Sequence, residues 1–375
     1  MIVETLFLAL LFILFAFYVG YYLFGFRYGK NVHYVKSEVY LPKVSMVVAT
    51  FNEEEIVRKK IENIISLNYP KENLEIIFVD SSTDTTRQII REFKEKSDLN
   101  IILFEEGERK GLASALNTGY ALASGEIVIK SDCDLLLDEN SVKEIVKHFS
   151  DPGIGAVSGA IRVLNQSNIE IGYRTIFERL RLAEANLDST YLFNPFCAFR
   201  KKLIQPIDRK SVADDAELAL KIRQSGYRTI YSPTAVTYEV SPTSIKERIK
   251  LKSRRAQGHI RLIFQNLKML LNPKYGKFGL IIFPANFFMI ILSPWLILFT
   301  LITGFIYLYS LLGLLLSSIT ILIFLTLITI VYLKAKPKTV AGFLDSQLNL
   351  LIGFVKLIVK GPEFKWAKDK RHNFT

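Results

Sequence analysis

Glu126-Ile-Val-Ile-Lys130-Ser131-Asp132-Cys133-Asp134-Leu135 is the stretch on which the reading of this chain turns. A short apolar run ends in two aspartates one residue apart, so both carboxylates stand where a strand gives way to a loop. Open α/β sheets keep their ligand crevice at the carboxyl ends of their strands. An unpaired pair of carboxylates in a core would carry a large desolvation cost, so solvent or a cation must face them. One or two carboxylates plus substrate phosphates is how Mg²⁺ or Mn²⁺ is usually held. Asp-x-Asp alone also fits a solvated turn, and the rest of the chain has to choose.

Upstream of this stretch, short β-rich runs alternate with helical ones. Residues 44–50, 74–79, 101–105 and 126–130 read as strands, and 53–66, 85–96, 113–123 and 140–149 as helices between and after them. Such repetition, with near-continuous apolar strands, predicts an α/β domain with a mostly parallel, Rossmann-like sheet. Polar residues gather after each strand: Thr50-Phe51-Asn52-Glu53-Glu54, then Asp80-Ser81-Ser82-Thr83-Asp84, then Arg109-Lys110-Gly111, then Asp132-Cys133-Asp134. Asn52 and Asp84 could each cap a helix. Four polar tips facing one crevice imply a cleft of nucleotide size. Neither GxGxxG nor GxxxxGK[ST] occurs, which argues against the dinucleotide and P-loop modes.

The two ends of the chain carry the excess of apolar residues. Over 375 residues the hydrophobic share is 50% and the mean hydropathy +0.25, high for a purely soluble protein and long enough for two or three compact units. The net charge is +12, yet no zinc spacing or single-strand-binding motif is present, so membrane lipid is the expected partner and nucleic acid is not. Two cysteines, Cys133 and Cys197, without CxxC, exclude a disulfide scaffold.

Residues 2–26 carry one charge, Glu4, and are long enough to cross a bilayer. They lack the basic n-region of a signal peptide. Arg27, Lys30 and Lys36 come next, which puts the following domain on the cytoplasmic side. Residues 278–333 contain no Asp, Glu, Lys or Arg and suit a hairpin of two membrane helices, broken near Tyr309–Gly313 and kinked by Pro284 and Pro294. Lys334, Lys336 and Lys338 then lie inside. In residues 343–359, Asp345, Gln347, Asn349 and Lys356 favour an interfacial or re-entrant helix over a third span, which would carry the basic tail Lys365–Arg371 outside. The sequons at Asn165 and Asn373 are expected to be unused. The resulting plan is a membrane helix at 1–28, a cytosolic α/β domain at 40–240, basic amphipathic interface helices at 241–275, the hairpin at 278–333 and an interfacial or third membrane helix with a basic tail at 340–375.

Val-Ala-Thr-Phe-Asn-Glu (48–53), Phe-Val-Asp-Ser-Ser-Thr-Asp (78–84), Lys110-Gly-Leu-Ala-Ser-Ala-Leu-Asn117 and Ser-Asp-Cys-Asp (131–134) resemble the ordered motifs of family 2 glycosyltransferases. The resemblance covers roughly residues 43–260 and implies the GT-A fold, here flanked by transmembrane helices. It implies that Phe51 and Asp80 contact the nucleoside, that Thr50, Asn52 and Glu53 also belong to the substrate site, that Lys110 meets the base or diphosphate, and that Asp132 binds the nucleotide while Asp134 holds Mg²⁺ or Mn²⁺. Ala49 and Phe51 stand where the family often has Pro and Tyr. Asn194–Arg200 resembles the segment lining the acceptor site. Val212-Ala-Asp-Asp-Ala-Glu (212–217) is similar to the family's Thr-Glu-Asp motif, with Asp215 as the implied catalytic base and Asp214 beside it at the substrate. Acidic residues in a first helical turn are also favoured by the macrodipole whatever their role.

Arg254-Arg255-Ala256-Gln257-Gly258 resembles the family's Gln-x-x-Arg-Trp element and the residues after it, which gives Arg254 and Gln257 substrate contacts; Leu251 and Arg255 depart from the expected Gln and Trp. The same stretch reads as a basic amphipathic helix against anionic headgroups, and His259 as a structural residue. The implied activity is metal-dependent, inverting transfer from a UDP- or GDP-linked sugar to a lipid or lipid-linked glycan acceptor at the cytosolic face. A processive polysaccharide synthase, a non-catalytic nucleotide-binding scaffold and a nucleotidyltransferase are the alternatives.

Overall fold

The four strands read from sequence are present as β1 (Val44–Thr50), β2 (Leu74–Asp80), β3 (Asn100–Glu105) and β4 (Ile127–Lys130). The computed structural model describes residues 2–32, 37, 39–165, 168–240, 244–334 and 339–361. Lys36, Lys336, Lys338, the tail Lys365–Arg371, the Asn373 sequon and the Gln166–Ser167 part of the other sequon lie outside them.

Four further strands, not anticipated from sequence, are β5 (Leu136–Leu137), β6 (Ile154–Val163), β7 (Cys197–Arg200) and β8 (Arg228–Glu239). All eight form one sheet in the order β3-β2-β1-β4-β7-β6-β8-β5. β3, β2, β1 and β4 are mutually parallel, whereas β7 runs antiparallel to both β4 and β6. The sheet is therefore mostly parallel in its first half and mixed in its second. The chain runs outward from β1 through β2 to β3, then returns to β4 on the other side of β1. That reversal opens a crevice at the carboxyl ends of β1 and β4.

The helices in chain order are α1 (Ile2–Tyr28), α2 (Val57–Ile65), α3 (Thr86–Lys96), α4 (Leu112–Leu122), α5 (Ser141–Val146), α6 (Asn168–Leu187), α7 (Asp214–Gln224), α8 (Ile245–Gln265), α9 (Phe283–Phe287), α10 (Ser293–Lys334) and α11 (Thr339–Lys360). α2 starts four residues later than expected, because Glu53–Ile56 form a turn that accepts the first amides: Val57 N donates to the Glu53 carbonyl at 2.8 Å. Its buried stripe is Val57, Lys60, Ile61 and Ile64, an i, i+3, i+4, i+7 pattern with one lysine in it.

The chain divides into two compact units. One comprises the described residues of 31–165 and 184–248 and holds the whole sheet; the other comprises 2–30, 168–183 and 249–361. Residues 168–183, the first part of α6, thus leave the expected 40–240 domain and pack with the apolar helices. Within that second unit Gly29 approaches α6 so closely that a Cβ would lie 2.3 Å from the Arg179 carbonyl oxygen, which only glycine permits.

Three helical stretches in the apolar unit are long and apolar enough to cross a membrane: Ile2–Tyr28, Phe278–Gly313 and Gly342–Lys360. Wide π turns at Phe278–Ile282 and Phe288–Leu292 precede Pro284 and Pro294. A proline in a regular α-helix clashes with the carbonyl four residues back, and the wider turn removes that clash. The expected break is at Gly313, at φ 71°. In α11 the polar residues that weighed toward an interfacial helix are not on the outer face. Asp345, Gln347 and Asn349 are buried inside the unit: Asp345 accepts from Lys252 Nζ at 2.7 Å, and Gln347 from Ser293 Oγ at 3.2 Å. Polar residues turned inward leave an apolar outer face, as in a membrane helix that pairs its polar groups with neighbours.

Candidate active site

Backbone alternation places the two aspartates. Across Ser131–Leu135, the residues Ser131, Cys133 and Leu135 are buried, while Asp132 and Asp134 face the open side. The loop is tied down by its own amides, Ser131 N donating to the Val47 carbonyl at 3.1 Å and Leu135 N to the Asp132 carbonyl at 3.2 Å.

Two lysines that the sequence reading passed over lie beneath it. Lys130, 2% exposed, places Nζ 2.5 Å from Asp214 Oδ2 and 3.9 Å from both Asp132 Oδ1 and Asp215 Oδ2. Burial by itself draws this ammonium down, but Asp214, Asp132 and Asp215 together hold it well above the usual lysine value. Lys60, fully buried, donates to Ser131 Oγ at 2.7 Å and to the Leu135 carbonyl at 2.5 Å. Burial pushes it down to about 8, against the opposing pull of Cys133, Asp134 and Asp132. A lysine inside the apolar stripe of α2, and another closing the buried run Ile127-Val-Ile, were the signals available.

Asp214 and Asp215 open α7. Ala213 at the N-cap offers no capping side chain, and Glu217 is occupied in structure, accepting from Asp208 N at 2.9 Å and Lys221 Nζ at 2.7 Å. Asp214 is the buried partner of Lys130. Asp215 stays partly open, at 15% exposure of its side chain, which is the condition a proton acceptor needs.

At the tip of β1 the picture is different. Thr50 is buried and donates to Asp80 Oδ1 at 2.7 Å; Asp80 Oδ1 also accepts from Ser82 Oγ at 2.6 Å, and Oδ2 accepts from Ser82 N at 3.2 Å and Arg87 Nε at 3.0 Å. With no exposed surface, the Asp80 carboxylate is turned inward and braces the two loops. Asn52, at φ 55°, ties the same loops by accepting from Thr83 N at 2.8 Å, in a conformation asparagine tolerates well. It does not cap α2, whereas Asp84 does accept from Thr86 N, at 3.0 Å, at the start of α3. Glu53 is buried, its amide donating to Thr86 Oγ1 at 2.7 Å.

Phe51 remains partly exposed, and the guanidinium carbon of Arg109 lies 3.9 Å from its ring centroid. Arg109, which the sequence reading gave no role, is the cation at this ring, while Lys110, expected at the base or diphosphate, is exposed on the loop before α4. The Asn194–Arg200 segment supplies β7, whose Cys197 is paired in register with Lys130, while Phe196 and Phe199 are fully buried. Arg254 and Gln257 belong to the apolar unit, where Gln257 is 1% exposed and both of its amide atoms are without a hydrogen-bond partner among the described residues. His259 is likewise in that unit.

Among the described residues no group of three or more His, Cys, Asp and Glu converges as a closed metal site. An open pair of hard carboxylate oxygens fits a different arrangement, in which substrate phosphate and water complete the coordination of Mg²⁺ or Mn²⁺. The donor set and its exposure therefore suit such an ion.

A sheet with this reversal, aspartates at the end of β4 and acidic residues opening a facing helix define a GT-A type nucleotide-sugar fold. The chain belongs to glycosyl transferase family 2: the family model described as glycosyl transferase family group 2 matches residues 127–335, and that described as glycosyl transferase family 2 matches residues 45–207. It is 31% identical over 267 residues to the probable glycosyltransferase YdaM of Bacillus subtilis (strain 168), covering 66% of this chain and 62% of that one. It is 28% identical over 249 residues to the poly-beta-1,6-N-acetyl-D-glucosamine synthase of Staphylococcus aureus (strain COL), covering 63% of this chain and 60% of that one. The chain thus spans less than two thirds of the length of either relative. The solved mannosyltransferase PcManGT of Pyrobaculum calidifontis, in complex with GDP-Man and Mn²⁺, is similar over 95% of this chain and 99% of its own, with a TM-score of 0.81 at 28% identity.

Proposed function

We propose that this protein is a membrane-bound, inverting glycosyltransferase that moves a sugar from a nucleoside-diphosphate sugar to a membrane-embedded lipid or lipid-linked glycan at the cytosolic face. The observation that carries this reading is the convergence of Asp132, Asp214 and Asp215 on one buried ammonium, Lys130. It brings the open carboxylate pair of the β4 loop and the acidic end of α7 to the same crevice.

In this mechanism Phe51 stacks on the base with Arg109 beside it, and Asp132 and Asp134 face the diphosphate. Asp134 would hold a Mg²⁺ or Mn²⁺ ion, which would supply positive charge to the leaving diphosphate. Asp215 accepts the proton of the acceptor hydroxyl as its oxygen bonds to the anomeric carbon and the bond to the diphosphate breaks. A single in-line displacement inverts that carbon without an enzyme nucleophile. The likeness to a mannosyltransferase seen with GDP-Man and Mn²⁺ supports GDP-mannose as the first donor to test. The likeness to a poly-N-acetylglucosamine synthase supports a second reading, processive polymer synthesis from a UDP-sugar.

The test uses the full chain in lipid nanodiscs with labelled GDP-mannose and UDP-N-acetylglucosamine, Mn²⁺ or Mg²⁺, and total membrane lipid. Label in a short, organic-extractable product that disappears with chelator and with Asp215→Asn supports the proposal. Long water-soluble polymer supports the processive reading. Nucleotide binding without release of nucleoside diphosphate from any donor sinks both.

A further inference from the structure

Lys60 has no part in the chemistry above, yet it is the most completely enclosed cation of the sheet-bearing unit's described residues, with no exposed surface. A lysine is retained in such a place only when its ammonium has fixed partners. Its partners are the two ends of one loop: Ser131 Oγ at 2.7 Å, immediately before Asp132, and the Leu135 carbonyl at 2.5 Å, immediately after Asp134. One ammonium therefore closes the base of the turn whose outer face carries both aspartates. The anchoring side is rigid, because Lys60 is flanked on α2 by the buried Val57, Ile61 and Ile64.

We propose that Lys60 is a positioning residue: by bridging Ser131 to Leu135 it preorganises Asp132 and Asp134 for a divalent cation carried with a nucleoside diphosphate. The proposal rests on the metal-dependent reading of the site. It assigns Lys60 no contact with substrate. Outer-shell partners of metal ligands typically change metal affinity by about 10–100-fold when removed. A fixed loop also lowers the ordering cost of binding.

Two measurements on the full chain in nanodiscs test it, comparing wild type with Lys60→Met, which fills the volume without donors, and Lys60→Gln, which keeps a shorter, uncharged donor. The first is amide hydrogen exchange over 131–135 without metal or nucleotide. The second is Mn²⁺ binding by electron paramagnetic resonance in the presence of GDP or UDP, alongside nucleotide binding without Mn²⁺. Lys60→Met is expected to speed exchange at Leu135 and to weaken Mn²⁺ binding about tenfold, with nucleotide binding in the absence of Mn²⁺ unchanged and Lys60→Gln intermediate. A general loss of packing would instead weaken both kinds of binding together and overturn the assignment. So would unchanged exchange, or Mn²⁺ affinity that is unchanged or higher in folded Lys60→Met, since a buried cation that merely repels metal predicts tighter binding on its removal. If Lys60→Met does not fold, wild-type behaviour of Lys60→Gln in both measurements overturns the proposal and intermediate loss supports it. If wild type itself shows no Mn²⁺-dependent gain in nucleotide affinity, the metal-dependent reading fails, while the exchange measurement still judges the clamp.

Discussion

Lys130 Nζ stands 2.5 Å from Asp214 Oδ2, an ion pair between the last residue of β4 and the first of α7 with both residues buried. Removing one partner of such a pair strands the other charge in the core, at a cost of roughly 3–5 kcal/mol, whereas removing both is far milder. Lys130→Met and Asp214→Asn should each lower the unfolding temperature strongly, and the double variant should recover most of the loss. Thermal unfolding of the four proteins in one detergent checks this; additive losses would show that the pair is not coupled.

Asp215 differs from Asp214 in having a more exposed side chain, 15% against 9%, and in lying 3.9 Å rather than 2.5 Å from the shared ammonium. Asp215→Asn should leave folding and donor binding near wild type while lowering kcat by about 10²–10⁴-fold, the usual loss for a general base. Retention of turnover would move the base elsewhere. Equilibrium binding of the nucleotide sugar, beside single-turnover kinetics, separates the two effects.

Arg109 lies over Phe51, so the proposed nucleotide pocket would have an aromatic face backed by a planar cation. Phe51→Ala should weaken nucleotide binding by roughly 1–3 kcal/mol, the range of base stacking on an aromatic ring. Arg109→Ala should weaken it more than Lys110→Ala, because the exposed Lys110 makes no comparable ring contact. Isothermal titration of GDP and UDP against the three variants decides the order.

His259 is the group from which an acid-dependent loss of stability in the helical unit is expected. Burial first, then the Arg181 and Arg255 charges, lowers its imidazole from 6.5 to about 4. Its folded value lies below its unfolded one, so the unfolded chain takes up the proton first as the pH falls. Stability present above pH 6.5 is then lost progressively toward pH 4. The unfolding temperature of wild type should fall across that window, and His259→Phe should flatten the fall; identical slopes in the two proteins would remove His259 as the cause.

The first half of the sheet was legible in the sequence because β1, β2 and β4, parallel and buried on both faces, are continuous apolar runs, and the edge strand β3, though half exposed, keeps its Ile101-Ile-Leu-Phe104 run. The second half was not, since β7 is only the short Cys197–Arg200 and its place is set by pairing antiparallel to β4. Arg109 shows the same limit at the site: adjacent to Lys110, it cannot be distinguished from it until the loop is folded against Phe51.

Local pattern by itself determined the strand-tip loops, the need for solvent or a cation at Asp132 and Asp134, the lengths of the apolar helices and a break within Tyr309–Gly313. Tertiary structure alone decided which polar residues are buried as braces and which stay exposed in the crevice. Asp80 is turned inward by Thr50 and Arg87, while Lys60 and Lys130 find Ser131 and Asp214 at sequence separations of 71 and 84 residues. The reason is physical: a buried charge is tolerated only with its partner in place, and that partner is brought by the fold from a distant part of the chain.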